Sequence, residues 1–206
     1  MIFDGFYSEK KSYFSQDHSA GMAECLATFG VSPCRAVDLG AGEGRNSLYL
    51  ASLGFDVTAI EPSHVGAEKI KSWSNATNLS IEVIKSDFLS CADKLKDIGF
   101  LVALTSLEHM DFKYMLQAVK KIKEILAVGA YVYIMVFTEE DPGFTRDLEK
   151  SSECALFIKH YFKKYELRNL FADFDILRYD EYVKEDLEHG KPHYHGKAKL
   201  FARKPT

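Results

Sequence analysis

Short apolar runs alternate with segments of helical periodicity through the first two thirds of the chain. The apolar runs are RAVDL at 35–39, FDVTAI at 55–60, SIEVIK at 80–85, IGFLVAL at 98–104 and YVYIMVF at 131–137. The clearest helical segment runs from about Phe112 to Ala127 and is ended by Gly129; it carries apolar residues at helical spacing. Apolar strands separated by helices are typical of a parallel sheet covered on both faces.

The last part of the chain has a different pattern. Residues 174–184 and 197–203 alternate polar and apolar side chains, and the segment between them, residues 189–196, is rich in turn-forming residues. This pattern predicts two antiparallel strands at one edge of the sheet. We therefore predict an α/β fold with a Rossmann-like sheet of seven strands. Five strands are parallel, two form a C-terminal antiparallel pair, and helices cover both faces.

The region before the first strand divides into two parts. Residues 1–18 are polar and aromatic, and a helix is predicted from Ser19 to Phe29, ending at Gly30. We expect residues 1–18 to form an N-terminal arm or lid that is too irregular for a core helix. Its aromatic cluster consists of Phe3, Phe6, Tyr7, Tyr13 and Phe14. A length of 206 residues suits a single domain, 1–206, with its core at 35–206.

Composition excludes several classes of protein. The formal net charge is -4 and no long basic stripe is present, so no nucleic-acid partner is expected. The four cysteines form no C-x-x-C motif, which argues against a zinc site or a disulfide framework. No stretch resembles a signal peptide or a membrane span, so we expect a cytoplasmic protein without a membrane partner.

A glycine-rich turn joins the first strand to the helix that follows it. Asp38 closes the strand, and Gly40, Gly42 and Gly44 stand at every second position after it. Glycines allow a sharp turn and close approach of a ligand to the backbone. The next strand ends in Glu61, 21 residues after Gly40. This is about the spacing at which a carboxylate accepts hydrogen bonds from the ribose of a bound nucleoside.

Two common nucleotide motifs do not fit this turn. A P-loop requires Lys followed by Ser or Thr after its glycines, and neither pair occurs here. A dinucleotide fingerprint requires Gly or Ala at the sixth position. Counted from Gly40 that position is Arg45, and counted from Gly42 it is Ser47. A nicotinamide or flavin cofactor is therefore not expected. A tight turn without any ligand is the remaining alternative.

The acid-x-Gly-x-Gly-x-Gly pattern resembles the first motif of class I S-adenosylmethionine-dependent methyltransferases. The chain resembles, more narrowly, the tellurite-resistance methyltransferase family. The similar segments are GRNSLYLA at 44–51, GFDV at 54–57, YELR at 165–168, and a His-containing loop before LFARK at 200–204. The resemblance implies the seven-stranded methyltransferase fold, S-adenosyl-L-methionine as the cofactor, and a small-molecule acceptor, for example an oxyanion, a chalcogen or a thiol-like compound.

The residues expected to bind the cofactor follow the first four strands, because ligands of open α/β sheets lie beyond the carboxyl ends of the strands. The backbone N–H groups after the first strand are expected to face the methionine portion, and Glu61 to hold the ribose. The resemblance implies that Asp87 and Phe88 contact adenine and that the loop after the fourth strand passes under the sulfonium. The full set is Asp38, Gly40, Ala41, Gly42, Gly44, Asn46, Glu61, Pro62, Asp87, Phe88, Thr105 and Ser106.

Simpler structural roles compete with several of these assignments. Glu61 can be an acidic residue at the start of a helix, and Asp87 can cap the short helix near residue 91. Glu108 and His109 can act in proton transfer or substrate orientation, or can cap the helix that follows them.

The predicted catalytic residues are histidines, because imidazole titrates near neutral pH. We select His193, in the middle of the C-terminal turn, then His189 and His109. The cluster of His189, His193 and His195 can also lie in a solvated turn or bind metal. A turn with a Pro and two Gly is a poor rigid site, so no metal is expected.

The interpretation is an S-adenosylmethionine-dependent methyltransferase of a small acceptor. One alternative is a protein or nucleic-acid methyltransferase, but no N/D-P-P-Y/F motif follows the fourth strand, and no Pro-Cys pair suggests cytosine C5 chemistry. The other alternative is a non-catalytic subunit that binds the cofactor. The sequence predicts neither the acceptor nor the oligomeric state.

Overall fold

The computed structural model describes residues 2–9, 12, 16–147, 149–187 and 192–206. Their strands form a seven-stranded sheet in the order β3-β2-β1-β4-β5-β7-β6. The strands are β1 Arg35–Leu39, β2 Asp56–Ile60, β3 Ile81–Ile84, β4 Ile98–Leu104, β5 Leu126–Phe137, β6 Asp175–Asp186 and β7 His193–Arg203. The helices are α1 Ile2–Glu9, α2 Ala20–Thr28, α3 Arg45–Ser52, α4 His64–Thr77, α5 Phe88–Cys91, α6 Phe112–Ile125 and α7 Glu166–Leu170.

The pairing of the strands confirms the predicted fold class. Strands β3, β2, β1, β4 and β5 are parallel neighbours, and β7 pairs antiparallel with both β5 and β6. Strand order reverses at β1, which has β2 on one side and β4 on the other. A switch point of this kind opens a crevice at the carboxyl ends of the strands.

The core lies on both faces of the sheet. One cluster contains the buried face of α6, including Met115 and Ile122, packed on β4 and β5. The other contains Met22 of α2 and Leu50 of α3, packed on β1, β2 and β4. Phe100 of β4 is fully buried in this second cluster. Because central strands are covered on both sides, their sequences read as continuous apolar runs.

Two predicted boundaries are wrong at β5 and β7. Helix α6 ends at Ile125, and β5 begins at Leu126, which pairs with Ile98 of β4. Gly129 therefore lies inside the strand and not at a helix end; its φ is 78° and its N–H donates to the carbonyl of Lys204. Strand β7 begins at His193, four residues before the predicted start, because the ladder with β6 continues to Asp186.

The N-terminal arm is also more regular than predicted. Residues 2–9 form a helix, and Phe3, Phe6 and Tyr7 recur at the i, i+3 and i+4 spacing that places side chains on one helix face. Tyr13 and Phe14 lie outside the described residues. Among the helices that the structure describes, none has the length and apolar character needed to cross a membrane.

Candidate active site

A large cleft opens at the carboxyl ends of the strands. Its volume is about 1590 Å³. Pockets for small ligands usually enclose about 300–1,000 Å³, so this cleft has room for two molecules together. The glycine turn, the ends of β2 and β4, helix α1 and the inner face of β6 and β7 contribute to its walls. Ten of the twelve predicted cofactor residues line this cleft; the other two, Asp38 and Gly44, do not.

The glycine turn has the backbone conformation that only glycine adopts easily. Gly40, Gly42 and Gly44 have φ values of 70°, 59° and 90°. Space is limited as well. A Cβ atom on Gly40 would lie 2.5 Å from the Cβ of Ser106, and one on Gly44 would lie 2.7 Å from Cγ1 of Ile70. The turn therefore packs against its neighbours and leaves the cleft open above it.

Four N–H groups of this turn donate hydrogen bonds to acceptors within the protein. Those of Gly40 and Ala41 both donate to the carbonyl of Ile60, at 2.9 and 3.1 Å. That of Gly42 donates to a carboxylate oxygen of Glu61 at 2.7 Å, and that of Gly44 donates to the carbonyl of Ala41. These N–H groups were expected to face the methionine portion of the cofactor, but at these four positions they donate to acceptors within the protein. Those of Gly40, Ala41 and Gly42 are directed at the end of β2, and that of Gly44 bonds within the turn.

Glu61 is the acid at the end of β2, and 4% of its surface is exposed. Its second carboxylate oxygen accepts a hydrogen bond from Ser63 N–H at 2.7 Å. Burial raises the pKa of Glu61 from 4.5 to about 7, while the two N–H donors oppose this rise. A carboxylate has about four acceptor positions, so two backbone donors leave capacity for hydroxyl donors in the cleft.

Asp38 lies beneath the turn. It accepts a hydrogen bond from Ser47 Oγ at 2.6 Å, and burial raises its pKa to about 6. This contact ties the end of β1 to the start of α3. Asn46 makes a related contact, because its Oδ1 atom accepts the N–H of Ser19 at 3.0 Å and so connects α3 to the start of α2.

Helix α1 covers the glycine turn. Asp4 accepts hydrogen bonds from Ser63 Oγ at 2.6 Å and from Val65 N–H at 3.2 Å, which fixes α1 to the start of α4. Tyr7 is buried, and a Cβ atom on Gly42 would lie 3.2 Å from its hydroxyl. Burial, with Glu61 nearby, holds the pKa of Tyr7 well above its usual value.

Asp87, which follows β3, caps a helix; this is the alternative to the adenine contact expected for it. Asp87 accepts hydrogen bonds from Ser90 N–H at 3.1 Å and from the hydroxyl of Tyr114, and it is the N-cap of α5. Ser90 Oγ also donates to Asp87 at 2.6 Å, and this hydrogen bond contributes most to lowering the pKa of Asp87. Asp87 and buried Phe88 still line the cleft, as does Pro62 after β2.

The loop after β4 is held in an unusual conformation. Thr105 has a φ of 48°, and its N–H donates to the carbonyl of Met135. Ser106 Oγ is buried and makes no hydrogen bond with the described residues. Glu108 follows in a short 3-10 helix and is fully buried; neither carboxyl oxygen has a partner in the described part of the chain. Burial raises its pKa from 4.5 to about 8.

His109 lines the cleft. Its Nδ1 atom is 3.1 Å from the carbonyl oxygen of Phe157, and its ring meets the edge of Phe3 with 4.9 Å between centroids. Because a carbonyl only accepts, Nδ1 must carry the proton and Nε2 the lone pair when the ring is neutral. Burial lowers the pKa of His109, which favours this neutral form.

Two of the C-terminal histidines, His193 and His195, are not in a solvated turn. His193 and His195 belong to β7 and are 5% and 4% exposed, so the placement of His193 in the middle of the turn is wrong. Of these two, His195 lines the cleft. Its Nδ1 atom is 3.0 Å from Oδ2 of Asp141, and burial lowers its pKa. His189 lies outside the described residues.

Sequence reasoning missed several residues at the site. Asp141 follows β5, and its partner His195 is 54 positions later in the chain, so no local pattern connects the two. The burial of Glu108 was missed for a similar reason: the N–H groups of Lys159 and His160 donate to its carbonyl and bring a distant segment over it. The signal for α1 was present in the spacing of Phe3, Phe6 and Tyr7.

The glycine turn, the buried acid after β2 and the 3-2-1-4-5-7-6 sheet agree with a match to a known family. The family model described as "Tellurite resistance protein TehB" matches residues 4–195. The chain belongs to the TehB family. The resemblance expected from the glycine turn and from the C-terminal segments is thereby confirmed.

Individual relatives extend this result. The chain is 29% identical over 185 residues to a Haemophilus influenzae protein named "Probable S-adenosyl-L-methionine-dependent methyltransferase TehB", which covers 88% of this chain and 61% of the relative. The chain thus spans about three fifths of the length of that TehB protein. The crystal structure of TehB from Haemophilus influenzae is 25% identical and has a TM-score of 0.77, over 91% of this chain and 62% of that one.

A more distant structure shows the fold alone. Magnesium protoporphyrin IX methyltransferase from Synechocystis PCC 6803, solved with S-adenosylmethionine bound, is 14% identical and has a TM-score of 0.64. The match covers 89% of this chain and 76% of that one. The seven-stranded sheet therefore occurs in methyltransferases of very different sequence.

Proposed function

We propose that this protein transfers a methyl group from S-adenosyl-L-methionine to a small-molecule acceptor. The observation that carries the proposal is the buried Glu61 carboxylate at the end of β2, tied to Gly42 at 2.7 Å beside an open cleft. Two features of this part of the cleft suit S-adenosylmethionine. A Cβ atom on Gly42 would crowd the wall of the cleft, and the remaining acceptor capacity of Glu61 suits the two hydroxyls of a ribose.

The remaining cofactor residues have proposed roles that agree with their positions. Asp38 and Asn46 hold the turn from below through Ser47 and Ser19. Phe88 offers an apolar surface to adenine, and Asp87, although it caps α5, borders the same region. Thr105 and Ser106 line the cleft beyond the glycine turn, and the buried hydroxyl of Ser106 has no hydrogen-bond partner in the described part of the chain.

When bound, S-adenosylmethionine would supply an electrophilic methyl group on a sulfonium. The chain then has to orient the acceptor in line with that methyl group and exclude water. Helix α1 excludes water, because Phe3 and Tyr7 cover the cleft from above. A base is required only for an acceptor that must lose a proton. His109 is the proposed base, since its Nε2 atom carries the lone pair.

A small acceptor is favoured over a macromolecule. Helix α1 and the segment carrying Phe157 meet above His109, with 6.3 Å between the rings of Phe3 and Phe157, and narrow the acceptor side of the cleft. The net charge of -4 does not favour nucleic acid. We propose an oxyanion, a chalcogen or a thiol-like compound, in keeping with the family, and propose that the protein acts in the cytoplasm.

The test is a turnover assay with a panel of acceptors. Selenite, tellurite, thiols and small amines are each incubated with protein and methyl-labelled S-adenosylmethionine, and both labelled product and S-adenosylhomocysteine are quantified. The proposal predicts equal amounts of both with at least one acceptor. Binding of the cofactor without any S-adenosylhomocysteine formation would instead support a non-catalytic cofactor-binding subunit.

A further inference from the structure

A cluster of possible metal ligands lies at the open end of β6 and β7. The ladder places Asp186 opposite His193, and His195 follows two residues later on the same face of β7. The Nε2 atoms of His193 and His195 are 2.9 Å apart, and Oδ2 of Asp186 is 3.9 Å from Nε2 of His195. One ligand atom from each of the three residues lies within 4.8 Å of the other two.

These separations suit a tetrahedral ion. Zinc is bound at about 2.0–2.1 Å by histidine nitrogen and 2.0–2.2 Å by carboxylate oxygen, so ligands at tetrahedral angles lie about 3.3 Å apart. The two measured separations of 2.9 and 3.9 Å lie on either side of that value. Small side-chain rotations of Asp186 and His193 would therefore complete the geometry.

The surroundings of His195 match those of a metal-binding histidine. Oδ2 of Asp141 faces its Nδ1 atom at 3.0 Å and also accepts the N–H of Gly196 at 3.1 Å. The other oxygen of Asp141 accepts the N–H of Gly143 at 2.8 Å, so the carboxylate is fixed. A carboxylate that takes the N–H of one ring nitrogen leaves a lone pair on the other. Histidines that bind metals almost always have such a partner.

We propose that Asp186, His193 and His195 bind a divalent transition-metal ion, of which zinc fits the ligand set best, with Asp141 as the positioning residue. Three protein ligands leave a fourth position for another molecule. Asp186 and His195 line the same cleft as the cofactor residues, so that position faces the cleft. If the proposed function holds, the fourth ligand is the anionic atom of the acceptor.

The alternative is a metal-free histidine pair. Nε2–H of His193 can donate to the lone pair on Nε2 of His195, and Lys197, whose Nζ atom is 3.5 Å from Oδ2 of Asp186, balances the carboxylate. In this arrangement His193 carries its proton on Nε2. Metal binding requires that the proton move to Nδ1, so the two states differ at one measurable nitrogen.

Calorimetric titration of the metal-free, untagged protein with Zn²⁺ tests the site. We expect one equivalent to bind. His193→Gln and Asp186→Asn should each weaken binding at least a hundredfold, and Asp141→Asn, which keeps all three ligands, about 10–100-fold. His64→Gln, at an exposed histidine on α4, is the matched control and should bind as the wild type does. Near-ultraviolet circular dichroism checks that each variant is folded without metal.

Two results would overturn the site: no stoichiometric binding by the wild type, or equal Zn²⁺ affinity in the wild type and Asp186→Asn, whose partly exposed side chain tolerates the change. Nitrogen-15 histidine spectra give a second readout. They should show the proton of His193 moving from Nε2 to Nδ1 when Zn²⁺ is added, and a proton that stays on Nε2 would contradict the proposal.

The role of the ion is tested separately from its binding. Methyl transfer to an active acceptor is compared in zinc-loaded and chelator-treated protein, and a loss of at least tenfold in kcat/KM after chelation is expected. An unchanged rate would overturn the role in acceptor binding and leave the site standing. An absence of methyl transfer to every acceptor would contradict the proposed function, while the calorimetric result would be unaffected.

Discussion

The carboxylate of Glu61 and the backbone N–H of Gly42 are joined by a hydrogen bond of 2.7 Å. This contact links the end of β2 to the turn after β1, the two places where a nucleoside cofactor would be held. It also explains why the turn keeps its shape: the same carboxylate accepts the N–H of Ser63 at the start of α4. The acid is therefore both a structural tie and the proposed ribose ligand.

The first prediction concerns the affinity contributed by Glu61. Glu61→Ala should weaken S-adenosylhomocysteine binding by about 1.5–3 kcal/mol, the range for hydrogen bonds to a charged group. Calorimetry measures the loss, and Glu82→Ala, at an exposed acid on the neighbouring strand β3, is the control. Affinity within twofold of the wild type would show that Glu61 serves only the turn and the start of α4.

The same residue predicts a dependence on pH. Burial raises the pKa of Glu61 from 4.5 to about 7, so the stability it contributes is present below pH 4.5 and is lost as pH rises through 7. Ligand binding has the opposite trend, because ribose hydroxyls donate to the ionised form. Affinity for S-adenosylhomocysteine should fall by up to about tenfold per pH unit below 7. Glu61→Gln should remove most of this dependence; an unchanged profile would contradict it.

Gly42 offers a test with a matched control. Gly42 and Gly30 have nearly equal φ values of 59° and 61°, but a Cβ atom has open space at Gly30 and meets Tyr7 at Gly42. Alanine should therefore cost each position a similar backbone strain of about 1–2 kcal/mol. We expect Gly42→Ala to lose at least tenfold in S-adenosylhomocysteine affinity and Gly42→Val to abolish binding. Gly30→Ala should bind normally. Equal affinities in the two alanine variants would refute a close approach of the ligand to the backbone at Gly42.

Helix α1 is predicted to act as a lid over the cleft. Asp4→Ala removes the hydrogen bonds to Ser63 and Val65, so S-adenosylhomocysteine should dissociate roughly tenfold faster. Stopped-flow release measures the rate, and Ser8→Ala, which loses an exposed hydrogen bond within α1, is the control.

Deletion of residues 1–14 should leave the sheet folded and reduce turnover. Full activity in that truncated protein would end the lid hypothesis.

Glu108 should limit stability at alkaline pH. Its buried carboxyl has a pKa raised from 4.5 to about 8, so its contribution to stability is present below pH 4.5 and is lost as pH rises through 8. Glu108→Gln should therefore be more stable than the wild type above pH 8. The difference in unfolding free energy between variant and wild type should grow by at most about 1.4 kcal/mol per pH unit between pH 4.5 and 8. Glu61 titrates in part of this window, so the comparison uses urea unfolding of wild type and variant at each pH.

The control for this prediction is Glu124→Gln, at an exposed acid on α6. It should follow the wild type at every pH. A Glu108→Gln variant whose unfolding free energy stays parallel to that of the wild type from pH 5 to 9 would show that Glu108 is ionised in the folded protein.

The parts of the structure that were predicted correctly depend on local patterns. The apolar runs fixed β1 to β4 within a residue or two, and the spacing from Gly40 to Glu61 located the cleft. Helix α1 was missed although its aromatic spacing was helical, because the segment was judged by its composition. The start of β7 was missed because His193 is polar, and a strand that buries polar side chains has no apolar signal.

The contacts that were not predicted join residues distant in sequence. Asp141 meets His195, and the segment that carries Lys159 closes over Glu108. Neither contact has a periodic pattern, since both arise only after the sheet brings separate loops to one edge. For the same reason the N–H groups of Gly40 and Ala41 were assigned to a ligand, when the end of β2 at Ile60 accepts them.

A crystal structure of the protein with S-adenosylhomocysteine tests the central claim most directly. The account predicts the ligand in the cleft, with both ribose hydroxyls within hydrogen-bond distance of Glu61 and the sulfur facing the loop of Thr105 and Ser106. It also predicts that α1 lies over the ligand as it lies here over the glycine turn. A ligand bound elsewhere, or one whose ribose does not contact Glu61, would contradict the account.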